Sequence, residues 1–204
     1  MFMYQKHLEF PIKVKNPNPK LANEIITQYG GPNGELAASL RYLSQRYTMP
    51  DPVSKGLLTD IGTEELGHLE MVGTLVSQLS KGTIGKDWAK LNSAEYYADN
   101  GASVYPQSAQ GSPFNAASIA VTGDPLANLY EDLAAEQKAR AVYDNLLRIS
   151  DDPDVNEVLK FLREREVIHF QRFGEALNRM QANMNEKTFF AGGIKKGKDG
   201  CGCK

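Results

Sequence analysis

The sequence predicts an all-α protein: a four-helix bundle with a long crossover between its second and third helices. Three observations carry this. Four segments repeat apolar residues in steps of three and four, the spacing of one helix face. Three of them open on an Asp-Pro pair, at Asp51-Pro52, Asp124-Pro125 and Asp152-Pro153. Such a pair sets a capping carboxylate ahead of a proline whose missing N–H costs the first turn nothing. Between the second and third segments, residues 81–124 are rich in Gly, Ser, Asn and Ala and show no clear period.

The elements follow in order. Residues 1–19 form an extended arm, punctuated by Pro11, Pro17 and Pro19. Its alternating Leu8, Phe10 and Ile12 suggest a strand that pairs within or between subunits. His7 beside them reads as a surface or packing histidine. The first helix begins at Leu21, breaks at Gly30-Gly31-Pro32 and resumes from Glu35 to about Tyr47. The second runs from Asp51-Pro52 to about Ser80, the third from Asp124-Pro125 to about Ile149, and the fourth from Asp152-Pro153 to about Met184. The crossover 81–124 holds Pro106 and Pro113, with Trp88 and Tyr96-Tyr97 as packing residues. An unpatterned connection of that length is usually functional, so it is expected to line or cover a site. Short connections at 1–2 and 3–4, with a long one between, let helices 2 and 3 run parallel, the connectivity of ferritin-like bundles. The expected organisation is an arm (1–19), a bundle domain (20–184) and a flexible Gly/Lys/Cys tail (185–204).

Composition excludes several functions. The chain has 204 residues, 41% hydrophobic, with a formal net charge of -2. Nothing in it suggests a nucleic-acid partner or a polybasic membrane surface. The opening MFMYQKHLEFPIKV carries Lys6, Glu9 and Lys13 and no long apolar run, so no signal peptide is expected. No uncharged apolar stretch of about 18 residues predicts a membrane helix. The two cysteines, Cys201 and Cys203, leave the body without a disulfide framework and fit a reducing compartment, with the cytoplasm as the expected location. The cysteine pair reads as part of a disordered tail, or more sharply as a cross-linking or metal-capturing group.

Three core stripes are interrupted by polar residues. Helix 2 gives Leu58, Ile61, Glu65, His68, Val72, Leu75, Leu79. Helix 3 gives Leu126, Leu129, Leu133, Glu136, Arg140, Tyr143, Leu147. Helix 4 gives Val155, Leu159, Leu162, Glu166, His169, Phe173, Ala176, Met180. Glu35 supplies the remaining helix, its stripe continuing through Ala38 and Tyr42. A lone buried carboxylate costs several kcal/mol, so it must be neutralised, paired or bound to a cation. Stacked at one level, these acids and imidazoles give one Glu from each of two helices and Glu-x-x-His from each of the others, the pattern of a bundle-borne metal pair. The competing explanation is a buried ion-pair cluster using Arg140, Arg163 and Arg165, which leaves both histidines unexplained. Oxygen-rich donors with two imidazoles and no thiolate favour manganese or iron over structural zinc. The spacing does not separate manganese from iron. Glu64 and Glu70, off the stripe, read as solvated or as subunit contacts, and Arg140 as a partial offset to Glu136 or an interface residue.

The segments QYGGPNGELAASLRYLSQRYTMPD, LLTDIGTEELGHLEMVGTL, GDPLANLYEDLAAEQKAR and DDPDVNEVLKFLREREVIHFQRF resemble those of the manganese catalases, most closely their short, spore-coat-associated branch. The resemblance covers roughly residues 1–180. It implies that Glu35 and His68 serve one manganese, Glu136 and His169 the other, and that Glu65 bridges them. It implies an outer-sphere acid/base role for Glu166 and a hydrogen-bonding role beside the metals for Tyr42. It further implies hydrogen peroxide as substrate, a homo-oligomer (a hexamer), and a place in a spore coat with coat proteins as partners. Two departures stand out. Ala135 occupies the position where some members carry Arg, and GKDGCGCK replaces the extended C-terminal region of longer members. The implied reaction is disproportionation of peroxide to water and dioxygen, with Glu166 moving protons. Two alternatives belong to other classes: a non-catalytic coat protein that keeps its metals for stability, and a di-iron ferroxidase or peroxidase in which Glu166 binds metal.

Overall fold

Each proline-led signal starts a helix in the computed structural model, which describes residues 2–4, 7–82 and 94–184 and two short strands near the end. Helix α1 spans Pro19–Gly30, with Asn18 accepting from the Leu21 amide at 3.1 Å. Pro19, expected in the extended arm, is instead its first residue. Helix α2 is Glu35–Gln45, followed by a tighter turn at Arg46–Thr48. Helix α3 is Pro52–Leu79, and Asp51 accepts from the amides of Val53 and Ser54, both at 3.0 Å. A short helix α4, Ala94–Asn100, lies in the crossover. Helix α5 is Pro125–Ile149, with Asp124 accepting from Ala127 at 2.9 Å. Helix α6 is Pro153–Met184, with Asp152 accepting from Asp154 at 2.9 Å. Side-chain caps of this kind satisfy amides that have no partner within the helix.

Helices α1 and α2 together form one broken arm of the bundle; α3, α5 and α6 form the others. The core divides into two apolar clusters. One gathers Ile25 and Ile26 of α1, Val72 and Leu75 of α3, Leu146 of α5, and Val155 and Leu159 of α6. The other gathers Ala38 of α2, Leu58 and Ile61 of α3, Leu129 of α5, and Phe173 and Met180 of α6. The early part of α3 thus lies with the early part of α5 and the late part of α6. So α3 and α5 run parallel and α6 antiparallel to both, as the crossover requires. The gap between the two clusters is the polar layer described below. No helix among the described residues is long and apolar enough to cross a membrane.

Several expectations are corrected. The arm pairs with no strand within the chain among the described residues; the Gln78 side chain stands in for one. Its oxygen accepts from the Val14 amide at 2.8 Å and its amide donates to the Ile12 carbonyl at 3.0 Å. Phe10 stacks on Phe161 at 5.0 Å between ring centres, which fastens the arm to α6. The buried stripe of α5 also differs from the one read off the sequence. It runs through Leu129, Asp132, Glu136, Ala139, Tyr143 and Leu146, while Leu126, Leu133, Arg140 and Leu147 are only partly covered. Ala135 and Ala139 are buried as well, so the covered face of α5 is turned away from Leu126, Leu133 and Leu147. Near the C-terminus, Phe190–Ala191 pairs antiparallel with Ile194–Lys195, so the tail holds some structure. Trp88, Cys201 and Cys203 lie outside the described residues.

The crossover docks on the break in the first arm. A Cβ added at Gly30 would meet backbone atoms of Pro106 and Gln107 at 2.2–2.5 Å. Tyr97 of α4 donates to the Pro19 carbonyl at 2.7 Å and meets Tyr96 edge-on at 5.3 Å, the packing role expected for this pair. Gly30→Ala must therefore push the crossover off α1. The expected loss is about 1–3 kcal/mol, typical of overpacking, read as a lower denaturant midpoint at unchanged slope; an unchanged midpoint would contradict this docking.

Candidate metal centre

The polar layer is assembled from the middle of three helices and the start of a fourth. Glu65 and His68 lie midway along α3, Glu136 midway along α5, Glu166 and His169 midway along α6. Glu35 is the first residue of α2, where unpaired helical amides favour a negative charge. None of these six side chains is more than 1% exposed. All the residues singled out in the sequence for metal binding therefore meet in one buried layer.

Their arrangement has near two-fold character. One oxygen of Glu65 lies 2.8 Å from His68 Nδ1, and the other lies 2.8 Å from His169 Nδ1. Glu35 stands 3.8 Å from His68 Nδ1, and Glu136 stands 3.7 Å from His169 Nδ1. The imidazole rings stack at 5.6 Å with 23° between their planes. Tyr42 of α2 donates to Glu136 at 2.5 Å, and Tyr143 of α5 donates to Glu35. The Glu-x6-Tyr pair of α2 is thus answered by the same pair on α5, each tyrosine reaching the other helix's glutamate.

Glu166 breaks the symmetry. It lies close to both halves: ligand atoms of Glu35, Glu65, His68 and Glu166 fall within 4.8 Å of one another, as do those of Glu65, Glu136, Glu166 and His169. Burial, and then the charges of Glu35, Glu136 and Glu65, push its carboxyl well above the usual range. Glu35 is pushed up likewise, by burial and by Glu65. Burial acts on Glu65 in the same sense, but the two imidazoles beside it win and hold it ionised. Burial lowers His68, yet hydrogen bonding and charge from Glu65, helped by Glu9 and Glu35, raise it from 6.5 to about 10. The two Glu-x-x-His motifs are therefore alike in sequence and unlike in charge.

Buried polar atoms in this layer are short of partners. Among the described residues, Glu136 Oε2 and Glu166 Oε1 make no hydrogen bond, and His169 meets only carboxylates, Glu65 at 2.8 Å and Glu64 at 3.3 Å among them. Such groups are rare unless a cation completes them. Each half offers two carboxylates and one imidazole nitrogen, a donor set that fits a hard-to-borderline divalent ion such as manganese.

The family model described as manganese containing catalase matches residues 1–193. This chain belongs to the manganese catalase family. Among its relatives, Protein CotJC of Bacillus subtilis is 50% identical over 190 residues, 93% of this chain and 100% of that protein. A probable manganese catalase of Clostridium acetobutylicum is 36% identical over 191 residues, 93% of this chain and 85% of that protein. The solved structure of wild-type KatB, a manganese catalase from Anabaena, matches with a TM-score of 0.81 at 31% identity, covering 89% of this chain and 81% of that one. The all-α, ferritin-like fold and the family resemblance read from the sequence both stand.

The polar layer also contains residues that the apolar stripes do not point to. Glu64, expected to be solvated or in a subunit contact, is 3% exposed and receives Arg165 at 2.6 Å. It lies one turn before His68, and α3 is covered on more sides than a single stripe implies. Tyr143 was read as a core residue alone, although the Glu-x6-Tyr spacing shared with Tyr42 signals its role. Asp132 is fully buried one turn before Glu136; burial above all raises its pKa. Arg140 turns away from Glu136 and pairs with Asp144 at 2.5 Å, as does Arg163. Of the three arginines in the ion-pair alternative, two are thus engaged elsewhere and only Arg165 reaches the layer. Glu70 is exposed, as expected, and His7 lines a cavity of about 280 Å³ with Glu9 and Glu70.

Metal uptake should depend on pH. In the metal-free chain His68 holds its proton to about 10, so the stability it adds is full below about 6.5 and lost as pH rises through 10. Glu35 and Glu166, also raised, lose favoured protons in the same direction. A metal ion takes the place of protons on its ligands. The rise in thermal midpoint on adding manganese(II) under anaerobic conditions should therefore be larger near pH 8 than near pH 6. Each displaced proton adds about 1.4 kcal/mol per pH unit. Calorimetry at the two pH values checks this, and a gain that shrinks with pH contradicts it.

Proposed function

We propose that the chain disproportionates hydrogen peroxide to water and dioxygen at two manganese ions, one held by Glu35 and His68, the other by Glu136 and His169, with Glu65 shared between them. One observation carries this reading: each oxygen of Glu65 lies 2.8 Å from a different imidazole Nδ1. A carboxylate so divided is built to span two cations. When bound, the manganese pair supplies a two-electron couple divided into two one-electron changes. The protein supplies the rest. Burial excludes bulk water from the layer, and Tyr42 and Tyr143 hold the glutamate oxygens that they donate to, orienting the carboxylates.

Glu166 is the proposed proton carrier. It is buried beside Glu35, Glu65 and Glu136 with Oε1 unpartnered, and burial with those charges favours its protonated form, which can donate to substrate oxygen. O–O cleavage needs protons delivered to oxygen, and the return half-reaction needs them taken back, which is general acid/base work. The proposal includes assembly with further copies of the chain, hexameric by the family resemblance, and association with a spore coat.

Glu166→Gln should keep its manganese and lose turnover by about 10²–10⁴-fold, measured as oxygen evolution beside elemental analysis. A variant that keeps wild-type turnover would remove Glu166 from the reaction. His68→Ala should lose manganese and activity together. Equal, negligible oxygen evolution from His68→Ala and wild type would instead favour the metal-bearing scaffold.

A further inference from the structure

Behind the two imidazoles, on the side away from Glu65, stands a second carboxylate. Glu64 Oε2 lies 3.3 Å from His169 Nε2, and Glu64 Oε1 lies 3.7 Å from His68 Nε2. Both nitrogens are buried, and neither makes a hydrogen bond among the described residues. Arg165 of α6 donates its Nε–H to the same Glu64 Oε1 at 2.6 Å. Glu9, from the N-terminal arm, adds a second carboxylate at 3.5 Å from His68 Nε2. We propose that Glu64 is a positioning residue shared by both histidines, the one carboxylate that fixes the tautomer and tilt of two metal-binding rings at once. This rests on reading His68 and His169 as ligands.

The chemistry argues for it. A neutral imidazole has one N–H and one lone pair, and the group facing the N–H decides which nitrogen is left for a metal. With a carboxylate behind each Nε2, both protons sit there and both Nδ1 lone pairs face inward, toward Glu65. A carboxylate has two oxygens, and here each lies nearest a different ring, at 3.3 Å from His169 Nε2 and 3.7 Å from His68 Nε2. Arg165 offsets the charge of Glu64, as a buried carboxylate requires. It also argues against a third cation among Glu9, Glu64 and His68, because the guanidinium already offsets the charge of Glu64. The two histidines are not equally dependent. His68 has Glu9 as a second acceptor, whereas among the described residues Glu64 is the carboxylate near His169 Nε2. Loss of Glu64 should therefore weaken the His169 half more.

The test uses the full chain, manganese-loaded and metal-free, as wild type, Glu64→Gln and His169→Ala. It reads manganese retained per chain across a chelator series, together with the thermal midpoint of the metal-free form. A glutamine presents one acceptor and one N–H₂ group to two N–H donors, so one ring is left facing a donor. Glu64→Gln should release manganese at roughly 10–100-fold lower chelator, one ion before the other, with a metal-free midpoint close to wild type. Retention equal to wild type, or a loss matched by a lower metal-free midpoint, overturns the proposal. If Glu64→Gln does not fold, Glu64→Gln with Arg165→Met removes both charges together, and its chelator series decides in the same two directions. A wild type that takes up no manganese, or a His169→Ala that keeps both ions, sinks the ligand reading instead. A His169→Ala that loses an ion while Glu64→Gln does not sinks the Glu64 proposal alone.

Discussion

Glu65 between two imidazoles is the interaction on which the rest of the bundle depends. Two histidines and four glutamates are fully buried where apolar side chains would ordinarily meet, and the core is split into two clusters by that layer. Such a layer is unfavourable unless its charges are matched. Glu65 supplies the match on the inner side and Glu64 with Arg165 on the outer side. The helices are placed to serve this layer: α3 and α6 antiparallel, so that their Glu-x-x-His turns meet, and α2 and α5 opposite each other, so that each tyrosine reaches the other's glutamate.

The broken first arm follows from the same demand. An unbroken helix from residue 19 to 45 would carry no helix terminus at the level of the layer. The interruption at Gly30-Gly31-Pro32 lets α2 begin at Glu35 and sets that carboxylate at a helix start. The crossover uses the break as a seat, since only a glycine at position 30 leaves room for the backbone of Pro106 and Gln107. Fold and site are coupled at this point: the loop that makes α3 and α5 parallel is anchored where the arm is interrupted.

Much of this was legible in the sequence because it depends on local rules. Proline and capping carboxylate fix where α3, α5 and α6 begin, and acids and imidazoles on apolar stripes stand out against their neighbours. What was not legible depends on rotation and neighbours. The buried face of α5 takes in Asp132, Ala135 and Ala139 and leaves Arg140 to pair with Asp144. A single stripe suits a helix packed on one side and puts Glu64 at solvent or a subunit contact, whereas α3 is packed on several sides and buries it. The arm's missing strand partner is a side chain, Gln78, which no alternation of apolar residues announces. Most telling, Glu65 and Glu166 are identical in motif, and only the charges that the fold gathers around each one tell them apart.

The central claim is that this layer holds a redox pair of manganese ions and uses it on peroxide. The most direct measurement is elemental analysis and oxygen evolution on one preparation of the purified, manganese-loaded chain. The account predicts two manganese ions per chain and one dioxygen released for every two peroxides consumed. A preparation with the manganese in place and no oxygen released would contradict it.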